Sequence, residues 1–295
     1  MSTKARTVLL TGAAGQVGSA LQPRFVAAGW TVHATDLAEL DITDAVAVEA
    51  AVDGLRPAAV VNLAAEVDAD RCEREPEHAR RVNADGPTNL ARSCTAHGAL
   101  LCQISSDYVF DGERRTPYRE DDQTRPLSVY GETKVVAEHA AADGLVVRTA
   151  WLAGRAGSNI PKTVLRLAVD PDRALAFVDD QRGSPTVAED LADALVALVD
   201  QDVRGRFHVT NAGDASWHEV VAHVLACSGQ DPARVRPIPT AELVPPRDAA
   251  RPTYSVLDGS ALTATGIGPL PSWQESFEQL VADLVERTPA VVAAP

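Results

Sequence analysis

No apolar run in the sequence approaches the ~20 residues that a membrane-spanning helix needs. The opening stretch, Met1–Thr7, is too polar and too short for a secretory signal, so a cytoplasmic protein with no membrane partner is expected. Basic residues are in deficit, with 27 Lys and Arg against 41 Asp and Glu and a net charge of −14. No basic stripe is visible, which argues against a nucleic-acid partner. A small anionic substrate stays open, because one arginine or one helix N-terminus binds phosphate even in an acidic protein. The four cysteines (Cys72, Cys94, Cys102 and Cys227) show no CxxC spacing and have no histidine at metal-site spacing. Reduced thiols are expected and a zinc site is not. Repeats and low-complexity tracts are also missing.

What is present is an alternation. "TVLL" (Thr7–Leu10) suits a buried parallel strand, and a glycine-punctuated turn leads into a helix from about Gln16 to Ala28. Further strands are expected at Thr31–Asp36, Ala58–Ala65, Leu100–Ser105 and Leu145–Thr149. Helical stretches fall at Ala45–Gly54, between Glu77 and His97, and at Val129–Ala142. Strands alternating with helices at this interval predict an α/β, doubly wound parallel sheet of Rossmann-like kind. Past Trp151 the rhythm changes. "NIPKTVLRLAV" and "AEDLADALVALVD" read as helices, "RALAFV" as a strand and "SWQESFEQLVADLVER" as a closing helix. The Pro-rich Val235–Pro246 is expected to break regular structure, and "TPAVVAAP" to fray. Residues 1–150 are thus expected to bind a dinucleotide, with segments near 180–210 returning to that unit. Residues 151–295 would form mainly a smaller C-terminal substrate-binding unit.

Gly12, Gly15 and Gly18 form GxxGxxG between the first strand and its helix. Glycines there allow a pyrophosphate to approach the backbone, and the helix N-terminus supplies free N–H groups. Asp36, closing the second strand, can accept hydrogen bonds from an adenosine ribose. Leu37 follows it rather than an arginine, so a slight preference for NADH over NADPH is expected. Asp41 either faces the adenine or caps the next helix.

In "SVYGETKVVAE" Tyr130 and Lys134 stand four apart, on one helix face. A hydroxyl partner is expected at the carboxyl end of the strand beginning near Leu100. Alternation turns Ser105 and Ser106 to opposite faces. The short-chain reductases, which this stretch resembles, carry their serine or threonine four positions before the aromatic of this segment, and counting back from Phe110 gives Ser106. Such a set suits hydride transfer to a carbonyl whose oxygen needs a proton. Tyrosine is a poor acid–base group at neutral pH, and a lysine cation nearby favours the phenolate by up to ~3 pKa units.

The glycine spacing and these three residues resemble the extended short-chain dehydrogenase/reductases. Longer blocks are similar to the dTDP-4-dehydrorhamnose reductases: "SSDYVFDGERRTPYREDDQTRPLSVYGETKVVAE", "RTAWLAGRAGSNIPKTVLRLA", "DDQRGSPTVAEDLA", "SWHEV" and "RPTYSVLD", in that order. The resemblance spans nearly the whole chain. It implies NAD(P)H-dependent reduction of the 4-keto group of a nucleotide-linked 6-deoxyhexose. Ser106, Tyr130 and Lys134 would be catalytic, and Gln16, Val17, Ala64 and Ala65 would join the glycines, Asp36, Asp41, Tyr130 and Lys134 around the cofactor.

Ser106, Asp107, Trp151, Asn159 and Arg251 would meet the nucleotide sugar. Trp151 either stacks on the hexose or fills core, and Arg251 either meets a diphosphate oxygen or forms a surface salt bridge. Tyr108 stands where related dehydratases carry a second carboxylate, which disfavours water loss. Glu66 stands where an aromatic is frequent, which bears on the exact sugar. Some relatives are dimers that bind Mg2+ through acidic residues at the interface, and Glu189 matches one such place or is simply a solvated helix residue. The alternative implied by resemblance is a non-catalytic subunit like the β-subunit of methionine adenosyltransferase. An epimerising relative is a third reading.

Overall fold

The computed structural model describes residues 6–287; the expected frayed tail lies outside them. Five strands, β1 (Thr7–Thr11), β2 (Thr31–Thr35), β3 (Ala59–Asn62), β4 (Leu100–Ser106) and β5 (Leu145–Thr149), are joined by a sixth, Gly205–His208. All pair in parallel, in the order β2-β1-β3-β4-β5 followed by Gly205–His208. The chain leaves β1 for β2 on one side and returns to β3 on the other. A crevice therefore opens beyond the carboxyl ends of β1 and β3, where ligands bind in open α/β sheets.

Alternation along the strands creates two buried faces. Val8, Leu10, Val61 and Val147 pack on one side beneath α1 (Gln16–Ala27), together with Leu191, Leu195 and Leu198 of a later helix. Leu9, Val60, Leu101 and Val146 pack on the other side, beneath α2 (Ala45–Leu55) and the helix Gly86–His97. A short helix that was not expected, α3 (Ala69–Arg74), comes first. The helical region expected between Glu77 and His97 comes in pieces: α4 (Pro76–Arg80), a π-helical turn Arg81–Asp85 and α5 (Gly86–His97). The π turn widens the helix and aims Asn83, whose amide brackets the Glu66 backbone, giving to its carbonyl at 2.9 Å and accepting from its N–H at 2.8 Å.

Beyond α6 (Val129–Ala140), a second core gathers around α7 (Ile160–Ala168), α9 (Trp217–Cys227) and α11 (Trp273–Arg287), with Val164, Val220, Val224 and Phe277 fully buried. The helix between α7 and α9, α8 (Ala188–Asp200), packs instead on α1. A short α10 (Ser260–Ala264) abuts the sixth strand. The Pro-rich region was expected to be irregular, yet Val235–Ile238 is a strand paired in parallel with Leu175–Val178. This sheet has only two strands, so Pro237 sits on an edge where its missing N–H costs no ladder bond. No described helix is long and apolar enough to cross a membrane.

One interaction inside the sheet is ionic. Arg148 on β5 is fully buried and grips Glu138 of α6 with two hydrogen bonds of 2.7 Å. Glu138 also accepts from Ser105 Oγ at 2.6 Å. His208 lies 3.3 Å from Arg148; burial, and then the guanidinium charge, push its pKa down to about 3, so the ring is neutral. Removing one partner from such a pair strands an uncompensated charge. The variant Glu138→Gln should lose about 3–5 kcal/mol of stability, read by urea unfolding. A loss under 1 kcal/mol would show that the pair contributes little.

Candidate active site in the sheet crevice

The carboxyl edge of the sheet is fixed by a polar rung. Thr11 donates to Asn62 at 2.6 Å, Asn62 to Gln103 at 2.7 Å, and the Asn62 carbonyl oxygen accepts the Ala64 N–H at 3.2 Å. That rung turns the chain after β3 toward the first glycine loop. Gly12 has φ +67°, and a Cβ there would lie 2.7 Å from the Ala64 nitrogen. A Cβ on Gly18 would lie 2.5 Å from the Ala13 carbonyl oxygen. These two glycines thus serve the fold's own close contacts while also lining the crevice. Gly15 is the less crowded, its nearest neighbour for a Cβ being Gly12 O at 3.2 Å. Asp36, one residue past the end of β2, accepts the Ala14 N–H at 2.7 Å and so ties loop to strand.

The crevice is a cleft of about 1080 Å³. Gly12, Gly15, Gln16, Val17, Gly18, Asp36, Asp41, Ala64 and Ala65 line one end, and Ser106, Asp107, Tyr130, Lys134, Trp151 and Arg251 the other. Asn159 is the exception. Its side chain caps α7 through the Lys162 N–H at 3.1 Å and donates to Gln16 Oε1 at 3.0 Å and Gly154 O at 2.7 Å, so it braces the wall from behind. An asparagine just before a helix beginning Ile-Pro is a capping signal, and capping prevailed. Asp41 does not cap α2; Asp44 does, accepting from Val46 and Ala47.

Tyr130 begins α6 next to its cap, Ser128, which accepts the Gly131 N–H. Gly131 carries no Cβ because one would overlap the Tyr108 carbonyl oxygen. That close approach brings α6 against the turn after β4. Tyr108 and Tyr130 meet edge to face at 5.4 Å. Ser106 donates to Asp107 at 2.9 Å and accepts the Tyr108 N–H at 3.2 Å, while Ser105 faces away toward Glu138, as alternation requires. Asp107 is buried and also accepts from Ser255 at 2.6 Å; burial raises its pKa to about 6.

Lys134 Nζ donates to the Ile104 carbonyl at 2.7 Å. Burial lowers its pKa to about 8, opposed by the Glu138 charge one turn on. The expectation that Lys134 brings Tyr130 toward neutrality is not met by this pair alone. Desolvation holds the phenol above its usual range, with the Ser106 hydroxyl opposing.

Arg251 does not stand free for a phosphate. Both its terminal nitrogens grip Asp70 at 2.8 Å, and Asp70 also takes the Ala249 N–H at 3.0 Å. The Arg251 guanidinium holds the Asp70 carboxyl well below the usual carboxylate range. Glu66 is not aimed freely at the sugar end either: it pairs with Arg71 at 2.8 Å and lies 3.7 Å from His78. Trp151 has φ +49°, strained for a bulky residue, and its ring lies parallel to Trp217 at 3.8 Å. Trp217, Asp70 and Arg71 line the cleft without having been assigned from sequence, and Tyr108 lines it too. The block "SWHEV" held the only visible signal for Trp217. Glu189 pairs with Arg155 at 3.4 Å, and among the described residues no group of three or more His, Cys, Asp and Glu could hold a metal ion.

A parallel sheet whose first turn is glycine-rich, with serine, tyrosine and lysine sharing the crevice above it, is the architecture of the extended short-chain dehydrogenase/reductases. Within that class the chain belongs to the RmlD substrate binding domain family, which it matches over residues 6–286. It is 43% identical to a dTDP-4-dehydrorhamnose reductase of Streptomyces griseus, over 97% of each chain. A dTDP-4-keto-6-deoxy-D-glucose reductase of Streptomyces niveus is 39% identical over 94% of this chain and 95% of its own. The solved dTDP-4-dehydrorhamnose reductase of Bacillus anthracis, in complex with NADP, superimposes with a TM-score of 0.90 at 33% identity, over 95% of this chain and 100% of that one.

Proposed function

We propose that the protein reduces the 4-keto group of a nucleoside-diphosphate 4-keto-6-deoxyhexose, dTDP-4-dehydro-L-rhamnose to dTDP-L-rhamnose, with NADH or NADPH. The carrying observation is that Ser106, Tyr130 and Lys134 face one cleft with the glycine loop. The named relatives support the same reading and lend none to a regulatory subunit. The cleft fits a dinucleotide. The amino end of α1 has neither a side-chain cap nor an acidic first turn, whereas α2, α6, α7 and α9 are each capped by a side chain. Its free N–H groups, beside Gly15, are open to a pyrophosphate. In this reading residues 1–150, with 180–210, carry the dinucleotide, and the rest of 151–295 carries the sugar.

A bound reduced nicotinamide would supply hydride to C4. Ser106 orients the carbonyl oxygen, and Tyr130 gives that oxygen its proton. The raised pKa of Tyr130 suits this direction, because the phenol must start protonated. Lys134, cationic below about 8, offsets the phenolate charge as the proton leaves and holds the nicotinamide ribose. Without substrate the Ser106 hydroxyl donates to Asp107, and it turns that single proton to the carbonyl oxygen when the sugar binds. Tyr108, packed against Tyr130, occupies the place from which a second carboxylate would drive dehydration.

Asp36 and Asp41 line the adenosine end, Glu39 accepts the Asp36 N–H, and the cleft lining from Asp36 to Thr43 holds no cation. A 2′-phosphate meets repulsion there, so we assign a slight preference for NADH. Glu189, neutralised by Arg155, does not fit a magnesium site on this chain by itself, and no step uses one. Location in the cytoplasm and a homodimer complete the reading; cell fractionation tests the first and light scattering the second.

Incubation with dTDP-4-dehydro-L-rhamnose should oxidise reduced nicotinamide, followed by its absorbance, and yield dTDP-L-rhamnose. Tyr130→Phe should cut turnover by roughly 10²–10⁴-fold with cofactor binding nearly intact; an equally active variant would remove the assigned role. kcat/KM should fall as pH rises through about 8, where Lys134 loses its charge. A profile with no fall there would show that the Lys134 charge is not needed. Wild-type kcat/KM should favour NADH, and Asp36→Asn should move the ratio toward NADPH. A ratio that does not move would place the cofactor choice elsewhere.

A further inference from the structure

Resting on the nucleotide-sugar reading above, we propose that Trp217 is a specificity-determining residue whose indole forms the apolar wall for the hexose ring of the substrate.

Trp217 opens α9, and its position is over-determined. Ser216 and Glu219 form a complete capping box at that helix end, and Ser216 Oγ also donates to Asp179 at 2.5 Å. The indole lies parallel to that of Trp151, with ring centroids 3.8 Å apart and an angle of 5° between planes. Trp151 is held in turn by Gly183, where a Cβ would come 2.5 Å from an indole carbon. With Gly183 and Trp217 both on its ring, Trp151 has little free face to offer a ligand. It acts as the backing. Trp217 is the outer member of the stack, half-buried and lining the cleft.

The chain bears cost to hold this pair, since Trp151 takes a left-handed backbone conformation that a bulky residue avoids. Partly exposed aromatic surface in a cleft is a binding surface for apolar area. Trp151 comes two residues after the carboxyl end of β5, and the stack lines the same cleft as Thr149, Ala150 and Tyr130. The group of matching chemistry is the C–H face of a hexose carrying a methyl at C6. A C6 hydroxyl laid against the indole would lose its hydrogen bonds to water without replacement.

The test uses the full chain with oxidised cofactor bound. Titration with dTDP-L-rhamnose should change tryptophan fluorescence in the wild type, dTDP alone should change it little, and Trp217→Phe should lose most of the response. Trp217→Ala should raise both KM for the keto-sugar and Kd for dTDP-L-rhamnose about tenfold, the size of one good aromatic contact. KM for reduced cofactor and Kd for dTDP should stay within about twofold. Trp217→Phe keeps a flat ring on Trp151 and should recover most of the affinity, which separates the wall from a folding defect read by thermal melting. A fluorescence response undiminished in Trp217→Phe overturns the proposal. So does a loss of dTDP affinity equal to the loss of sugar affinity in Trp217→Ala, which assigns the contact to the nucleotide. If the wild type turns over the keto-sugar and Trp217→Ala matches it, only the wall is wrong. If the wild type neither turns it over nor binds dTDP-L-rhamnose, the proposed function and the wall fall together.

Discussion

The grip of Arg148 on Glu138, with neither side chain reaching water, joins α6 to β5 and, through Ser105, to β4. Two charges taken out of solvent are held only where geometry and further hydrogen bonds compensate. Here both carboxylate oxygens and the Ser105 hydroxyl meet that condition. The consequence is positional. Lys134 and Tyr130 stand one and two turns before Glu138 on the same helix, and Ser106 is the residue after Ser105. Anchoring one end of this pattern therefore sets the catalytic end. Gly131 completes the constraint by letting the first turn of α6 sit directly on the Tyr108 carbonyl.

The electrostatics of the cleft follow from the same burial. Water is scarce around Tyr130, Lys134 and Asp107, so each is pushed toward its uncharged form, the phenol and carboxyl upward and the amine downward. For a reductase this is a coherent set. The acid begins protonated, and the cation that supports its conjugate base is retained in the neutral range. Farther out the cleft is ionic. Asp70 and Glu66 occupy the guanidinium groups of Arg251 and Arg71, and arginines held this way are fixed in place before any anion arrives.

Much of this was legible in the residues, for particular reasons. Four of the five strands assigned to the main sheet stood out because their apolar runs are bounded by turns, and the catalytic pair because helix spacing and strand alternation act over a few positions. Gly205–His208 went unseen since a strand of Gly-Arg-Phe-His carries no apolar run; it joins the edge of the sheet by parallel pairing with β5, 60 positions earlier in the chain. The Asp70–Arg251 clasp spans 181 positions and has no local signal at all. Asn159 was read for the sugar and is seen capping α7, because a residue near a pocket and a residue capping a helix look alike in sequence. The first and third glycines were read for a ligand's approach, and the backbone packed against them, from residues 13 and 63–64, adds a second reason for glycine there.

One consequence of the strand order concerns how the protein comes into being. The face of the sheet formed by Val8, Leu10, Val61 and Val147 is roofed on one side by α8, whose Leu191, Leu195 and Leu198 arrive only after α7 has been made. The sixth strand comes later still. A ribosome that has released the whole glycine loop, the serine and the tyrosine–lysine helix has thus delivered every residue of the proposed chemistry, but on this face their platform is then covered by α1 alone. The cover is completed only when α8 has emerged, so the platform of the first half is finished by residues of the second.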